Sequence, residues 1–119
     1  MELKKEEKLI DLNIVKLSKP FVYEDYNLTE INLKLDSITG AILEDAEKQY
    51  REDGGKAEQI ETDIKYSIKI AAMSAGIPAE VLKRLPVEDY YAVGYRVMSF
   101  LSRKVLAATK GLAPSEPLP

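Results

Sequence analysis

The sequence predicts an α+β domain, an N-terminal β-hairpin followed by a small bundle of three to four helices. Three observations carry this. Residues 14–35 alternate apolar and polar positions with the period of a strand. Residues 39–110 repeat apolar side chains at helical spacing instead, interrupted at Asp53-Gly54-Gly55, Gly76-Ile77-Pro78 and Leu85-Pro86. The chain has 119 residues, the length of one domain.

Residues 1–11 carry Lys4, Lys5, Glu6, Glu7 and Lys8 around few apolar anchors and are expected to form a mobile tail. The single domain then covers 12–111. In its hairpin, Val15 and Leu17 alternate with Lys16 and Ser18, and Ile31, Leu33 and Leu35 alternate with Asn32 and Lys34. Glu24-Asp25-Tyr26-Asn27 is turn-like. Pro20 cannot donate a ladder hydrogen bond and belongs at an edge or a bulge. Two strands are marginal alone and need helices over their apolar face.

Helix one is expected over 39–52, capped by Asp36 or Thr39, with Leu43, Ala46 and Tyr50 facing inward. Asp53-Gly54-Gly55 ends it. Helix two is expected over 59–76, stopped by Gly76 with Pro78 beyond. A short helix over 78–85 closes at Pro86, and helix four runs over 86–110. Glu88 and Asp89 sit at its positive end and Arg103, Lys104 and Lys110 toward its negative end. The tail 112–119 holds three prolines in eight residues and is expected to be disordered.

Helices two and four are apolar over more than one face. At about 100° per residue, Ile60–Ile77 places its apolar residues on an arc of roughly 220°, and Val87–Ala108 spans a similar arc. A surface helix needs a stripe of only about 100°. The surplus calls for burial on a second side, within the domain or against another protein. Ser67, Ala71, Ser74 and Ala75 form a small-residue strip on helix two, and Gly94 sits mid-face on helix four, so the two are expected to cross there. Tyr91 and Tyr95 lie on one flank of the helix-four arc, Val93 and Phe100 on the opposite flank. These four are the candidate partner-binding residues.

Little else suggests chemistry. The chain has no histidine and no cysteine, which removes the commonest general base, thiolate nucleophiles, disulfides and sulfur-based zinc sites. No catalytic, cofactor-binding or metal-binding residue is expected. Glu44 with Glu47, and Glu58, Glu61 and Asp63, read as solvated helix faces rather than cation sites. Asp53-Gly54-Gly55-Lys56 lacks the spacing of a phosphate-binding glycine loop. A net charge of −3 with dispersed cations argues against nucleic acid. No stretch approaches a membrane span, and MELKKEEKLI lacks the apolar core of a secretory signal.

The ordered motifs resemble a known family. Leu17-Ser18-Lys19-Pro20-Phe21-Val22-Tyr23 is followed by the alternating strand and Ile38-Thr39-Gly40. Then come Tyr66-Ser67-Ile68-Lys69-Ile70-Ala71-Ala72 with Gly76-Ile77-Pro78, and Leu85-Pro86-Val87-Glu88-Asp89-Tyr90 leading to Val97 and Phe100-Leu101. Over about residues 14–101 this is similar to the small tail assembly chaperones of tailed bacteriophages and prophages, the Mu-like group in particular. Ala41-Ile42-Leu43 stands where that pattern has an acidic residue.

The resemblance implies a non-enzymatic role in the bacterial host cytoplasm: binding the long, helix-rich tape measure protein, keeping it soluble, and helping tail tube protein assemble around it. It supplies no catalytic residues. Two alternatives stand beside it: a structural tail or connector component kept in the virion, and a small helical adaptor that self-associates into a homo-oligomer, using up the surplus apolar arc on a copy of itself.

Overall fold

Apolar side chains at alternate positions can be buried together only on one side of a ribbon, and the hairpin does this with Val15, Ile31 and the following Leu33, all fully buried. The computed structural model describes residues 11–110. Apart from Asp11, the mobile tail expected over 1–11 lies outside them, as does the disordered tail expected over 112–119. Strand β1, Ile14–Tyr23, pairs antiparallel with β2, Tyr26–Asn32. The turn is tighter than expected. Only Glu24 and Asp25 form it, Glu24 with φ 52°, while Tyr26 and Asn27 already pair with Tyr23 and Val22.

The ladder is irregular between Lys16 and Phe21, the stretch that contains Pro20. β2 stops at Asn32 rather than 35. Leu35–Ser37 is a 3-10 turn entered through Lys34 at φ 50°. The Leu35 N–H reaches back to Asn13 Oδ1 at 2.7 Å, closing the base of the hairpin.

Helix α1, Gly40–Glu52, is capped by Thr39, whose Oγ1 accepts from the Ile42 N–H at 3.4 Å. Asp36, the other expected cap, lies in the 3-10 turn. Ala46 and Tyr50 are buried and Leu43 is half-buried, while Glu44, Asp45, Glu47, Lys48 and Arg51 are exposed, as the pattern predicts. Helix α2 is Ile64–Ala75, not 59–76. Ile60–Thr62 forms a separate 3-10 turn, and Asp63 breaks the run by taking the N-cap, its carboxylate accepting from the Lys65 N–H at 3.0 Å. Gly76, at φ 74°, ends α2 with its N–H on the Ala72 carbonyl. The short helix contracts to α3, Ala79–Leu82, and α4 runs Val87–Lys110. The chain is thus α+β, a hairpin followed by four helices.

α2 is the axle of the core. Tyr66, Ser67, Ile68, Ile70, Ala71, Ala72 and Ser74 are buried between α1, α3 and α4. Its wide apolar arc is therefore consumed inside the domain. The Tyr66 hydroxyl donates to the Leu43 carbonyl at 3.3 Å, and its ring meets that of Tyr50 edge to face at 6.2 Å.

The expected crossing of α2 and α4 exists, but Gly94 does not face the small-residue strip. A Cβ on Gly94 would lie 2.4 Å from Ile64 Cγ1, so the glycine is the hole that receives Ile64. Gly94→Leu should lower stability by about 1–3 kcal/mol through overpacking. A urea melt superposing on that of the parent would place the crossing elsewhere.

Two polar ties hold the hairpin against α4. The carboxylate of buried Asp89 accepts from the Ser18 N–H and from Ser18 Oγ, both at 2.9 Å. Arg96 Nη1 donates to the carbonyls of Leu12 at 2.6 Å and Ile14 at 3.2 Å. Asp89, expected to act on the helix dipole, is thus also the residue that seats the irregular part of β1.

Candidate protein-binding face

A helix packed on one side by a bundle shows its other side to water, and on α4 that side is apolar. Asp89 and Arg96 bind the hairpin, so the hairpin covers their flank of the helix. Val93 lies on that flank and is fully buried, a correction to its place among the candidate partner-binding residues: it is core. Phe100, on the same flank, is half-buried against the core cluster, with Lys104 Nζ 5.4 Å from its ring centre.

Tyr91 and Tyr95 stand on the open flank, 43% and 55% exposed. Their rings stack at 5.4 Å with 13° between planes, and Tyr91 meets the half-buried Tyr90 edge to face at 5.9 Å. The pair is thereby preorganised, with Tyr90 linking it to the core. Rings already held together lose little conformational freedom when a partner covers them.

The open flank extends beyond the residues expected from sequence. Val87, Val105 and Leu106 are 68%, 61% and 64% exposed. At about 100° per residue, Val87, Tyr91, Tyr95, Met98, Ser102, Val105 and Thr109 fall within an arc of about 80°, and at 1.5 Å per residue the stripe is about 33 Å long. Of its two polar members, Thr109 turns its hydroxyl back to the Val105 carbonyl at 2.9 Å, and Ser102 is small and exposed. Met98 is half-buried and completes the stripe between Tyr95 and Ser102. The spacing of these residues by three and four was visible in the sequence. What it lacked was the knowledge that the hairpin covers the other flank.

The remaining cavities lend themselves less to a site. The best formed, about 370 Å³, lies among the end of α1, the Gly54-Gly55-Lys56 loop, α2 and the start of α4. Lys69 enters it but is paired with Asp53. The Gly54 and Gly55 N–H groups donate inward to the Arg51 and Tyr50 carbonyls, so the loop has no glycine amides aimed at an anion. Asp63 accepts from the Tyr50 hydroxyl at 2.6 Å as well as capping α2. The bond to Tyr50, then that from the Lys65 N–H, hold its carboxyl below the usual carboxylate range.

A group whose folded pKa is depressed stabilises the fold above its unfolded pKa, near 4, and loses that contribution as pH falls through the folded value. Asp63→Asn should therefore shrink the drop in Tm between pH 7 and pH 3. An unchanged drop would show that Asp63 contributes nothing to acid sensitivity.

Among the described residues, no three acidic, histidine or cysteine side chains are grouped to hold a metal ion, and no helix is long and apolar enough to cross a membrane. Glu44 and Glu47 are exposed, and Glu47 lies 3.9 Å from Arg51 Nε. Comparison with protein-family models, with curated proteins and with solved structures finds no match to this chain.

Proposed function

We propose that this chain is a non-enzymatic assembly chaperone of a tailed bacteriophage or prophage, acting in the host cytoplasm on the tape measure protein. The supporting observation is the apolar stripe of α4, with its stacked Tyr91–Tyr95 pair held open to solvent. A long tape measure helix has an apolar face that must be covered until tail tube protein surrounds it. A rigid helix with a matching stripe covers such a face without chemistry. The order of motifs from Leu17 to Leu101 supports the same reading. Tail tube protein is a second partner in it, and neither nucleic acid nor membrane is required.

Co-expression tests this. The tape measure protein of the encoding phage should aggregate alone, stay soluble with this chain, and co-purify with it. Tyr91→Asp should reduce the co-purified amount by about tenfold or more, as expected for loss of an aromatic anchor. A tape measure protein equally soluble without the chain would refute the reading.

A further inference from the structure

We propose that the cavity beside the end of α1 binds a small dianion with an apolar body, either a phosphate monoester or a dicarboxylate. Its walls carry Lys56, Lys65, Lys69 and Lys83 against Asp53 and Asp63, two more positive charges than negative, in a chain whose net charge is −3. The lysines come from three separate segments: the loop after α1, helix α2, and the turn after α3. A solvated helix face gathers its charges along one element. Here cations from three elements line one space.

Most of this charge has no partner within the chain. Among the described residues Lys56 and Lys65 have no ion pair. Lys83 Nζ lies 3.6 Å from Glu80, but Glu80 already holds Arg84 at 2.9 Å. Lys65 and Lys69, four apart on α2, form a like-charge pair, which weakens a helix unless an anion lies beside it. Asp53 supplies one such anion. It pairs with Lys69, and that bond first, with Lys83 adding to it, holds the Asp53 carboxyl below the usual carboxylate range. The protein thus seats one carboxylate of its own among these cations, and the excess of charge remains for a ligand.

Since the Gly54 and Gly55 amides turn inward, recognition falls to side chains. Lysine ammonium groups are rotatable point charges, suited to the spread oxygens of a dianion rather than to one planar carboxylate. Ile68, Ala79 and the ring of Tyr90 supply an apolar wall beside them. Burial, then the charge of Asp63, raises the pKa of Tyr90, so its hydroxyl stays protonated as a donor. The volume, about 370 Å³, is that of a small-molecule pocket. The cavity shares no residue with the α4 stripe, so it stands or falls apart from the client reading.

Calorimetric titration of the purified full chain, at neutral pH and low salt, tests this with phenyl phosphate, phenylsuccinate and the monoanion benzoate. One of the two dianions should bind at least about tenfold more tightly than benzoate. Tighter phenyl phosphate marks a phosphate monoester, tighter phenylsuccinate a dicarboxylate. Replacing the exposed Lys56 and Lys65 together by glutamine should weaken that binding about tenfold or more, with circular dichroism unchanged. Asp53→Asn frees Lys69 and should strengthen it by about tenfold. Glu44→Gln, the same change in net charge on the exposed side of α1, should leave it unaltered.

Dianions bound no better than benzoate would overturn the site, and so would full binding by the Lys56→Gln, Lys65→Gln variant. An equal gain from Glu44→Gln and Asp53→Asn would overturn it as well, since net charge alone would then be responsible. Inorganic phosphate bound as tightly as phenyl phosphate would overturn the apolar body.

Discussion

Aspartate in place of Val93 is expected to unfold the domain at neutral pH, whereas aspartate at Tyr95, two residues along the same helix, leaves it folded. Val93 is fully buried between α4 and its neighbours. The substitution removes about 1.5–3 kcal/mol of apolar burial and places a carboxylate where no cation awaits it, a further cost of several kcal/mol. Together these approach the whole stability of a small domain, about 5–15 kcal/mol. Tyr95 points into solvent, and a charge there stays hydrated. Far-UV circular dichroism at 20 °C checks both. A Val93→Asp variant that melts like the parent would mean that the hairpin does not close over this flank, and the division of α4 into a core side and a binding side would fail.

Tyr50→Ala is expected to cost about 4–6 kcal/mol, the sum of an aromatic cavity and an unsatisfied polar pair. Tyr50 is among the largest fully buried side chains, and its hydroxyl is a node. It accepts from the Ala57 N–H at 3.1 Å and donates to Asp63 at 2.6 Å, tying the loop after α1 to the cap of α2. Gly55 lies against the ring: a Cβ there would be 2.3 Å from it. Tyr50→Phe separates the contributions, keeping the packing and losing the hydroxyl for about 1–3 kcal/mol. Chemical denaturation measures both. If Tyr50→Phe is as stable as the parent, the hydroxyl does not anchor the loop, and Asp63 caps α2 unaided.

Local signals were legible wherever the chemistry is local. Alternation revealed the hairpin, Thr39 the start of α1, and Gly76 followed by Pro78 the stop of α2. The start of α2 was misplaced because Ile60 falls in phase with Ile64 and Ile68 on a helical wheel, which cannot register that Asp63 has left the helix to cap it. Thr62-Asp63 ahead of an apolar run was the available signal. The two flanks of α4 were indistinguishable in sequence for a different reason. Burial of Val93 depends on a hairpin that is distant in sequence and is drawn in by the bond between Asp89 and Ser18, 71 residues apart. Such a contact leaves no periodicity. For the same reason the apolar surplus of α2 and that of α4 looked alike, although the apolar arc of α2 is packed into the core by the chain itself and α4 keeps one apolar side bare.

The most direct measurement is photo-crosslinking of the chain mixed with the tape measure protein proposed as its client. A benzophenone side chain at Tyr95 is expected to capture the client, and one at the exposed Glu44 of α1 to capture none. Crosslinks from Glu44 with none from Tyr95 would contradict the account, because the client would then bind a face the bare side of α4 does not reach.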